Sequence, residues 1–506
     1  MESSVKPNGP LAAIDMGSNS FRLEIGQLPG AQQGGRYRRI DYLKDTVRLG
    51  GGLDANGMLS EEAAQRGLAC LRHFSARLAG FEPGQVRAVA TQTLREARNR
   101  NAFLLRAQEA LGFPIEVISG REEARLIYAG VAHLQPSEVP RLVIDIGGRS
   151  TELILGRGRT PLVSESFGVG CVSLSLRFFE GGRITEAGFR AAQVAAGAEL
   201  EEALQPFARE HWTRALGSSG TAGAVSQLLQ TAGITDGRIT PAGLRWCIER
   251  CLEAGEIGKI DLPGLKADRN AVLPGGLAIL YTLAANFGID ELWPAKGALR
   301  QGVVIDLHER LMARQRGKVT DMRDATVAEL QQRFAVNRDQ AARVAAVALA
   351  AFDAAVPDAD SEARRELAWA CALHELGLMV SHHDHHRHSA YLLAHVDAAG
   401  FSQSQQRRIA DLVLGQRGGL RKIEPQLANE TFAWQVLCLR LAAIKCHARG
   451  DVAPRALTLR ARGRDALLGW DRPAWPEAHP RTLYLLREEV TAWVRNGPLR
   501  LVLPAT

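Results

Sequence analysis

DMGSNS at residues 15–20 and DIGGRS at residues 145–150 are nearly the same six-residue stretch, written twice in one chain. Each follows an apolar run, 11–14 in the first case and 142–144 in the second, and each leads into residues that alternate between apolar and polar. This pattern predicts a strand, a tight turn and a second strand in both places. The chain is therefore expected to carry two β-hairpins of one kind, separated by roughly the length of a domain.

The tip of each hairpin is suited to binding a phosphate. Glycine lets backbone N–H groups approach an anion closely, hydroxyl side chains add donors, and the leading aspartates, Asp15 and Asp145, can hold a cation against the phosphate. One such motif is weak evidence, because an aspartate before a glycine commonly caps its own turn. Two copies predict a duplicated lobe whose hairpins act together as a phosphate clamp. The residues assigned to the clamp are Gly17, Ser18, Asn19, Ser20, Gly147, Gly148, Arg149, Ser150 and Thr151.

The paired loops resemble the double phosphate-binding signature of the superfamily of acetate and sugar kinases, Hsp70 and actin. Within it, residues 15–23 and 145–153 are most similar to the exopolyphosphatase and guanosine pentaphosphate phosphohydrolase (Ppx/GppA) family. The resemblance continues through LHELGL at 373–378 and HRHSAY at 386–391, and it favours the longer, polyphosphate-degrading members. The other segments that match, in order, are ATQTLR at 90–95, ISGREEARLI at 118–127, GSSGT at 217–221, LPGGL at 273–277 and GALR at 297–300.

The pattern of elements predicts an α/β protein with several domains. Strands interleave with helices over two successive stretches, helical spacing dominates after about residue 316, and alternation returns at 457–460 and 499–503. With the resemblance, the expected fold is two ribonuclease-H-like lobes of the actin, Hsp70 and sugar-kinase superfamily around a cleft, then an all-helical HD-like domain and a small C-terminal α+β unit. The predicted boundaries of these four parts are 1–133, 134–311, 312–450 and 451–506.

Composition narrows the class of protein without deciding the function. With 506 residues and 46% hydrophobic content, the chain can bury several cores. The formal charge of +7 fits an anionic partner, and nucleic acid, a phosphate polymer and plain solubility explain it equally well. Seven cysteines without a C-x-x-C pair favour reduced thiols and a cytoplasmic location. A signal peptide and a transmembrane segment are not expected, while peripheral membrane association stays open.

The resemblance also implies catalytic roles. Glu123 is the implied activator of water, with Glu122 as the alternative; alone, two glutamates at a helix start are usually just a favourable first turn. Arg95 is implied to contact phosphate oxygens, which its rigid fork of donors suits, although it could also be an ordinary surface arginine. The cofactor expected is Mg²⁺, a hard cation that prefers oxygen ligands, with K⁺ as a candidate activator. The implied metal ligands are Asp15, Asp145 and Glu152, the last two of which also complete the catalytic set with Glu123 and Arg95.

Two further features leave alternatives open. The segment Gly217, Ser218, Ser219, Gly220 and Thr221 precedes an alanine-rich helix, so its amides either bind an anion at the helix start or simply cap the helix. At Arg149 the family usually has a small residue. This arginine could pair with a substrate phosphate, project into solvent, or distort the loop and lower activity.

A histidine cluster lies in the predicted helical domain, where position 375 is Glu rather than the Asp of HD-type phosphohydrolases. It is interpreted either as a second metal centre or as a polar surface for phosphate or dimer contacts. Arginines in the same domain could extend a basic surface for a polyanion. The histidines are His374, His382, His383, His385, His386, His388 and His395, and the arginines are Arg407, Arg408, Arg417 and Arg421.

The sequence therefore predicts a cytoplasmic, Mg²⁺-dependent exopolyphosphatase that releases orthophosphate from the end of linear polyphosphate. By resemblance it is a homodimer, and no nucleic-acid partner is expected. The first alternative is a guanosine pentaphosphate (pppGpp) 5′-phosphohydrolase, with ppGpp as a related ligand. The second is a polyphosphate or nucleotide sensor in which Arg149 has weakened hydrolysis. An ATP-dependent kinase or chaperone of the same superfamily ranks lower, because it does not explain the arginine and double-glutamate blocks.

Overall fold

The computed structural model describes residues 9–28, 36–316, 321–450, 453, 457–470 and 475–504. The chain divides into two compact units, residues 1–319 and residues 320–506. Both predicted α/β lobes lie in the first unit, together with residues 312–319 of the predicted helical domain, and the rest of that domain and the C-terminal unit lie in the second. The four boundaries predicted inside these units remain predictions.

The first unit contains two five-stranded sheets with the same topology. In each, a three-stranded antiparallel meander continues through its first strand into two parallel strands, giving the orders β3-β2-β1-β4-β5 and β10-β9-β6-β7-β8. Both sheets carry a register shift at the same point, Ile25/Gly26 and Leu155/Gly156. This duplication confirms the predicted α/β fold with two lobes of one kind. The strands are β1 Leu11–Met16, β2 Phe21–Gln27, β3 Arg38–Asp45, β4 Val86–Ala90, β5 Ile115–Val117, β6 Arg141–Ile146, β7 Thr151–Arg157, β8 Thr160–Phe167, β9 Arg214–Ser218 and β10 Leu292–Pro294.

Helices cover these sheets. One hydrophobic core lies within each lobe, and a third, centred on α4 and α10, joins apolar residues of both sheets. The two helices approach closely, since a Cβ on Gly130 of α4 would lie 2.5 Å from the carbonyl oxygen of Ala298, just before α10. The helices are α1 Glu61–Arg77, α2 Gln92–Glu96, α3 Arg100–Leu111, α4 Gly120–Leu134, α5 Cys171–Phe178, α6 Glu186–Leu200, α7 Ser219–Thr231, α8 Pro241–Ala254, α9 Leu273–Phe287 and α10 Leu299–Arg316.

The second unit is mainly helical and ends in a small three-stranded sheet of order β11-β12-β13. Helix α18 and this sheet contribute Leu459, Leu486 and Trp493 to the same core as the preceding helices. The helical spacing that dominates the sequence after about residue 316 is divided between two helices here, because Ala335 has a positive φ of 49° and Asn337 caps a new helix. The elements are α11 Met322–Arg333, α12 Arg338–Ala355, α13 Ser361–Leu373, α14 His385–His395, α15 Gln403–Gly415, α16 Glu430–Lys445, β11 Leu457–Arg462, β12 Asp465–Trp470, α17 Trp475–Ala478, α18 Pro480–Asn496 and β13 Arg500–Val502.

One helical stretch in the described part of the chain, Ala267–Phe287, passes a length and composition test for a membrane span. Most of its α9 portion is buried in the hydrophobic core of the second lobe, including Leu277, Ile279 and Leu283. A buried core helix of this kind passes the same test, so the stretch is weak evidence for a membrane segment.

Candidate active site

The two predicted loops come together in one cleft of the first unit. The start of α7 and the first turn of α4 form part of its walls. Asp15 and Asp145 therefore share a crevice, as the proposed clamp requires. Of the predicted site residues, those that line it are Asp15, Gly17, Ser18, Asn19, Ser20, Glu123, Asp145, Gly147, Gly148, Ser150, Ser219, Gly220 and Thr221.

The two hairpins have the same local geometry because the same residue types occupy the same turn positions. A Cβ on Gly17 would lie 3.1 Å from the carbonyl oxygen of Ser20, and one on Gly147 would lie 3.1 Å from that of Ser150. The Gly147 N–H donates to that Ser150 oxygen at 2.9 Å. Both turns are therefore too tight for a larger residue without a shift in the loop.

The residue paired across the strand differs between the hairpins. Asp15 lies opposite Arg22, and the two side chains form an ion pair of 3.2 Å. Asp145 lies opposite Glu152, so the second hairpin places two carboxylates side by side. In the first loop, the buried Ser20 hydroxyl has no hydrogen-bond partner in the described structure, which leaves a polar group in the cleft available to a ligand.

Three carboxylates around the second loop have raised pKa values. Burial raises the pKa of Glu123 to about 7, and the charges of Asp15 and Asp145 add to this while Arg95 opposes it. Burial also raises the pKa of Glu152 well above its ordinary value, reinforced by Glu123 and Asp145. Burial raises the pKa of Asp145 as well. A group near pKa 7 can accept a proton at neutral pH, which is what a general base needs.

The structure distinguishes Glu123 from Glu122. Glu123 lines the cleft, while the buried Glu122 accepts two hydrogen bonds from Arg125 at 2.7 and 2.8 Å. Arg125 and Arg87 in turn bind Asp306 of α10, each at 2.6 Å. Glu122 is thus part of a buried ion network, and only Glu123 faces the cleft.

Arg95, which the resemblance implied to contact phosphate oxygens, binds groups of the protein in this structure. It is not among the lining residues, because its nitrogens donate to the Glu123 carboxylate at 2.8 Å, the Ile118 carbonyl oxygen at 3.0 Å and the Gln92 side chain at 2.6 and 2.9 Å. In this geometry Arg95 holds Glu123 rather than a phosphate.

Three other arginines line the cleft, and the sequence reasoning gave none of them a role. Arg22 comes from β2, Arg269 from the turn before α9 and Arg300 from the first turn of α10. The buried carboxylate of Glu24 holds Arg300 at 3.2 Å. Burial, followed by repulsion from Arg22, lowers the pKa of Arg269, so an anion between these guanidiniums would relieve an unfavourable charge arrangement.

Family models match the chain on both units. The Ppx/GppA phosphatase family model matches residues 31–311, and the model for domain III of the same phosphatases matches residues 322–490. The chain belongs to the Ppx/GppA phosphatase family. This confirms the resemblance and the prediction of an enzyme that hydrolyses phosphoanhydrides.

Solved structures of similar proteins agree with this fold. An exopolyphosphatase-like protein is 24% identical, with a TM-score of 0.54 over 61% of this chain and 100% of its own. An exopolyphosphatase from Cytophaga hutchinsonii is 23% identical, with a TM-score of 0.54 over 60% of this chain and 98% of its own. At these identities the likeness establishes a shared fold for the matched part of this Ppx/GppA phosphatase.

Four predicted binding residues of the phosphatase have structural partners instead of lining the cleft. Thr151 donates to the Val169 carbonyl oxygen at 2.6 Å, and Ser218 donates to that of Gly297 at 3.1 Å. Gly217 lies so close to α7 that a Cβ there would be 2.6 Å from the Ala222 methyl group. The fourth is Arg149, whose guanidinium binds Glu96 and the Gly50 carbonyl oxygen. Arg149 is therefore held by groups of the first lobe, and a contact with a substrate phosphate, one of the three alternatives for this residue, stays a prediction.

The donor set of the second loop fits Mg²⁺. Asp145, Glu152 and Glu123 offer buried carboxylate oxygens whose mutual repulsion a divalent cation would relieve. Among the described residues, no group of three or more His, Cys, Asp or Glu is placed so that it could hold a metal ion by itself. Mg²⁺ does not need one, since it commonly takes one or two carboxylates together with water and substrate phosphates. Asp15 is less available, because it is paired with Arg22.

The histidines of the helical unit do not form a second metal site in the part of the chain that the structure describes. His374, His382 and His385 line a cavity of about 760 Å³ together with Glu375. Burial lowers the pKa of His374 and lowers that of His385 to about 4, so both are neutral at pH 7. His386, whose pKa is also lowered to about 4, lies outside this cavity lining.

Proposed function

We propose that this phosphatase is an exopolyphosphatase that removes the terminal phosphoryl group of linear polyphosphate. The observation that carries the proposal is that one cleft brings together three arginines and a group of buried carboxylates. Arg22, Arg269 and Arg300 line it and offer guanidinium groups for a chain of phosphates. Glu123 and Asp145 also line it, and Glu152, which is buried and does not line the cleft, lies close enough that the charges of both raise its pKa. The end of a polyphosphate chain would meet both kinds of group at once.

The loops would bind the end of the chain and hold it in line for attack. Backbone N–H groups at the tight turns and the unpartnered hydroxyl of Ser20 donate to non-bridging phosphate oxygens. The arginines neutralise the charge of the following phosphates, which reduces the electrostatic cost of bringing a polyanion into the cleft. When bound, Mg²⁺ would supply further charge neutralisation at the transferred phosphoryl group, with Asp145 and Glu152 as its candidate ligands.

Water then attacks the terminal phosphorus opposite the bridging oxygen. Glu123 accepts the proton of that water as the new P–O bond forms and the P–O bond to the shortened chain breaks. The leaving oxygen departs as part of a terminal phosphate of the shortened chain. Arg95 fixes the Glu123 carboxylate by its 2.8 Å hydrogen bond, so that an oxygen stays directed into the cleft.

The experiment is a substrate panel. Phosphate release is measured with Mg²⁺ on long-chain polyphosphate, pppGpp and ATP at equal concentrations of terminal phosphate. We expect the highest kcat/KM on polyphosphate. A preference for pppGpp of tenfold or more would instead make the enzyme a guanosine pentaphosphate phosphohydrolase, and binding without turnover would favour the sensor.

The proposal also includes the cofactor, the cellular location and the oligomeric state of the enzyme. Mg²⁺ dependence is supported by the oxygen ligands of the second loop, and a cytoplasmic location by seven cysteines that are all free. A homodimer and activation by K⁺ are proposed from the family resemblance. Chelation followed by return of Mg²⁺, with and without K⁺, tests the ion requirements, and light scattering tests the dimer.

A further inference from the structure

The guanidinium of Arg149 joins the two lobes at the mouth of the loops. It belongs to the turn between β6 and β7, but its Nε and Nη2 donate to the Glu96 carboxylate at 2.9 and 2.7 Å. Its Nη1 donates to the Gly50 carbonyl oxygen at 3.2 Å. Both partners belong to the first lobe. Arg149 can therefore make these contacts only when the two lobes are in this relative position.

Glu96 also links Arg149 to Glu123, the candidate base, through further hydrogen bonds. Its other carboxylate oxygen accepts a hydrogen bond from the Gln92 amide at 2.6 Å. The Gln92 oxygen accepts from Arg95, and Arg95 donates to the Glu123 carboxylate at 2.8 Å. An unbroken series of hydrogen bonds therefore runs from Arg149 to Glu123.

The backbone around this series is tightly packed. Gly50 donates its N–H to the Ser18 carbonyl oxygen at 2.8 Å and accepts from Arg149 through its own oxygen. A Cβ on Gly50 would lie 2.9 Å from the Arg149 Cδ and 3.0 Å from the Ser18 Cβ. A Cβ on Gly148 would likewise lie 2.9 Å from Ser18. The two loop tips thus contact each other, and Arg149 fastens that contact from the outside.

We propose that Arg149 is a positioning residue that aligns Glu123 with the attacking water through Glu96, Gln92 and Arg95 when the two lobes are together. The proposal rests on the proposed function, since it gives Arg149 a part in the same hydrolysis. It also explains how a bulky cation fits in a phosphate loop without binding substrate or blocking the cleft.

The ion pair between Arg149 and Glu96 can break and re-form without unfolding the lobe. Arg149 and Glu96 have side chains that are 23% and 33% exposed, and ion pairs of this kind are weak because water competes for both charges. Losing the contact should therefore disturb the orientation of Glu123 without unfolding the lobe. The expected cost is a fall in kcat of about threefold to tenfold.

The test compares Arg149→Ala with Arg149→Lys and with a matched control. Arg106→Ala breaks a two-bond pair with Glu61 on the surface of the first lobe, away from the cleft. For hydrolysis of polyphosphate, we expect Arg149→Ala to lower kcat while KM and thermal stability stay unchanged. Arg149→Lys should recover part of the loss, and Arg106→Ala should leave kcat as in the wild type.

A second variant distinguishes two roles of Arg149: positioning Glu123 through the hydrogen-bonded series, and only holding the two lobes together. Gln92→Ala breaks the series between Glu96 and Arg95. In that background Arg149→Ala should have no further effect on kcat. A full additional loss there, or a rise in KM with unchanged kcat, would overturn the proposal. If the wild type itself released no phosphate from polyphosphate, the proposed function would fail, which is a different result from an active wild type that is indifferent to Arg149.

Discussion

The two hairpins share a backbone and differ in charge. In the first, the residue opposite the aspartate is Arg22, and the pair is neutral. In the second, the residue opposite the aspartate is Glu152, and Glu123 adds a third carboxylate nearby. One turn geometry thus carries an ion pair in the first hairpin and two neighbouring carboxylates in the second.

This difference shows what duplication of a lobe can achieve. If the strands of the two hairpins were identical, both phosphate loops would have the same charge and the same affinity for a cation. The matching strand position carries Arg22 in one lobe and Glu152 in the other. If the proposed function holds, this charge difference would give the cleft a polarity that orients a phosphate chain.

The largest expected effect comes from the candidate base, Glu123. Glu123→Gln should lower kcat by about 10²- to 10⁴-fold because the proton acceptor is lost. Its thermal stability should be equal to or above that of the wild type at pH 8, since one buried charge is gone. The neighbouring Glu122→Gln serves as the control. It should lower the melting temperature because Arg125 and Arg87 lose a buried partner, while the folded enzyme keeps most of its kcat. Equal losses of kcat in the two variants would contradict this assignment.

The buried carboxylates should also make stability depend on pH. The pKa of Glu123 is raised from an ordinary 4.5 to about 7, so the folded state favours its protonated form. That stabilisation is complete below about pH 4.5 and is lost as pH rises through about 7, a change of about 3 kcal/mol at most. We expect the melting temperature of wild type relative to Glu123→Gln to fall between pH 5 and pH 8 without divalent cation. Addition of Mg²⁺, but not of Na⁺ at matched ionic strength, should reverse the fall. A pH-independent difference would show that Glu123 is not buried among like charges.

A smaller effect separates the two hairpins from each other. Arg22→Gln should raise KM for polyphosphate about tenfold, because a charged contact to phosphate is lost while the concentration of Mg²⁺ for half-maximal rate stays the same. Glu152→Gln should do the reverse, raising the Mg²⁺ requirement about tenfold with little change in KM. Both constants are obtained from the same initial-rate series. If the two variants shifted the same constant, the hairpins would not have separate roles.

Much of the fold was predictable because it depends on local patterns. The repeated Asp-x-Gly stretch with apolar flanks indicates two hairpins, and the structure has them at residues 11–27 and 141–157. The short alternating runs near the C-terminus also correspond to strands, β11 and β13. Glycine at both turns and alternation along the strands are requirements of the local backbone. They can be recognised in the sequence without knowing which distant residues the segment contacts.

The site was less predictable because its parts meet only after folding. Arg269 and Arg300 come from a turn and a helix far along the chain, and the GALR motif that contains Arg300 assigns it no partner. Arg22 had a local signal, a charged residue in an otherwise apolar strand directly after the first loop. Glu122 and Glu123 are adjacent on α4, so only the packing of that helix decides which carboxylate faces the cleft. Arg149 finds Glu96 across the lobes, a pairing for which the sequence gives no sign.

The most direct test of the polarity of the cleft is a crystal structure of the Glu123→Gln enzyme with tripolyphosphate and Mn²⁺ in place of Mg²⁺. Anomalous scattering locates the metal independently of the phosphates. The account predicts manganese against Asp145 or Glu152, with the phosphate chain extending toward Arg22, Arg269 and Arg300. Manganese bound to Asp15 after displacement of Arg22, or tripolyphosphate bound outside this cleft, would contradict it.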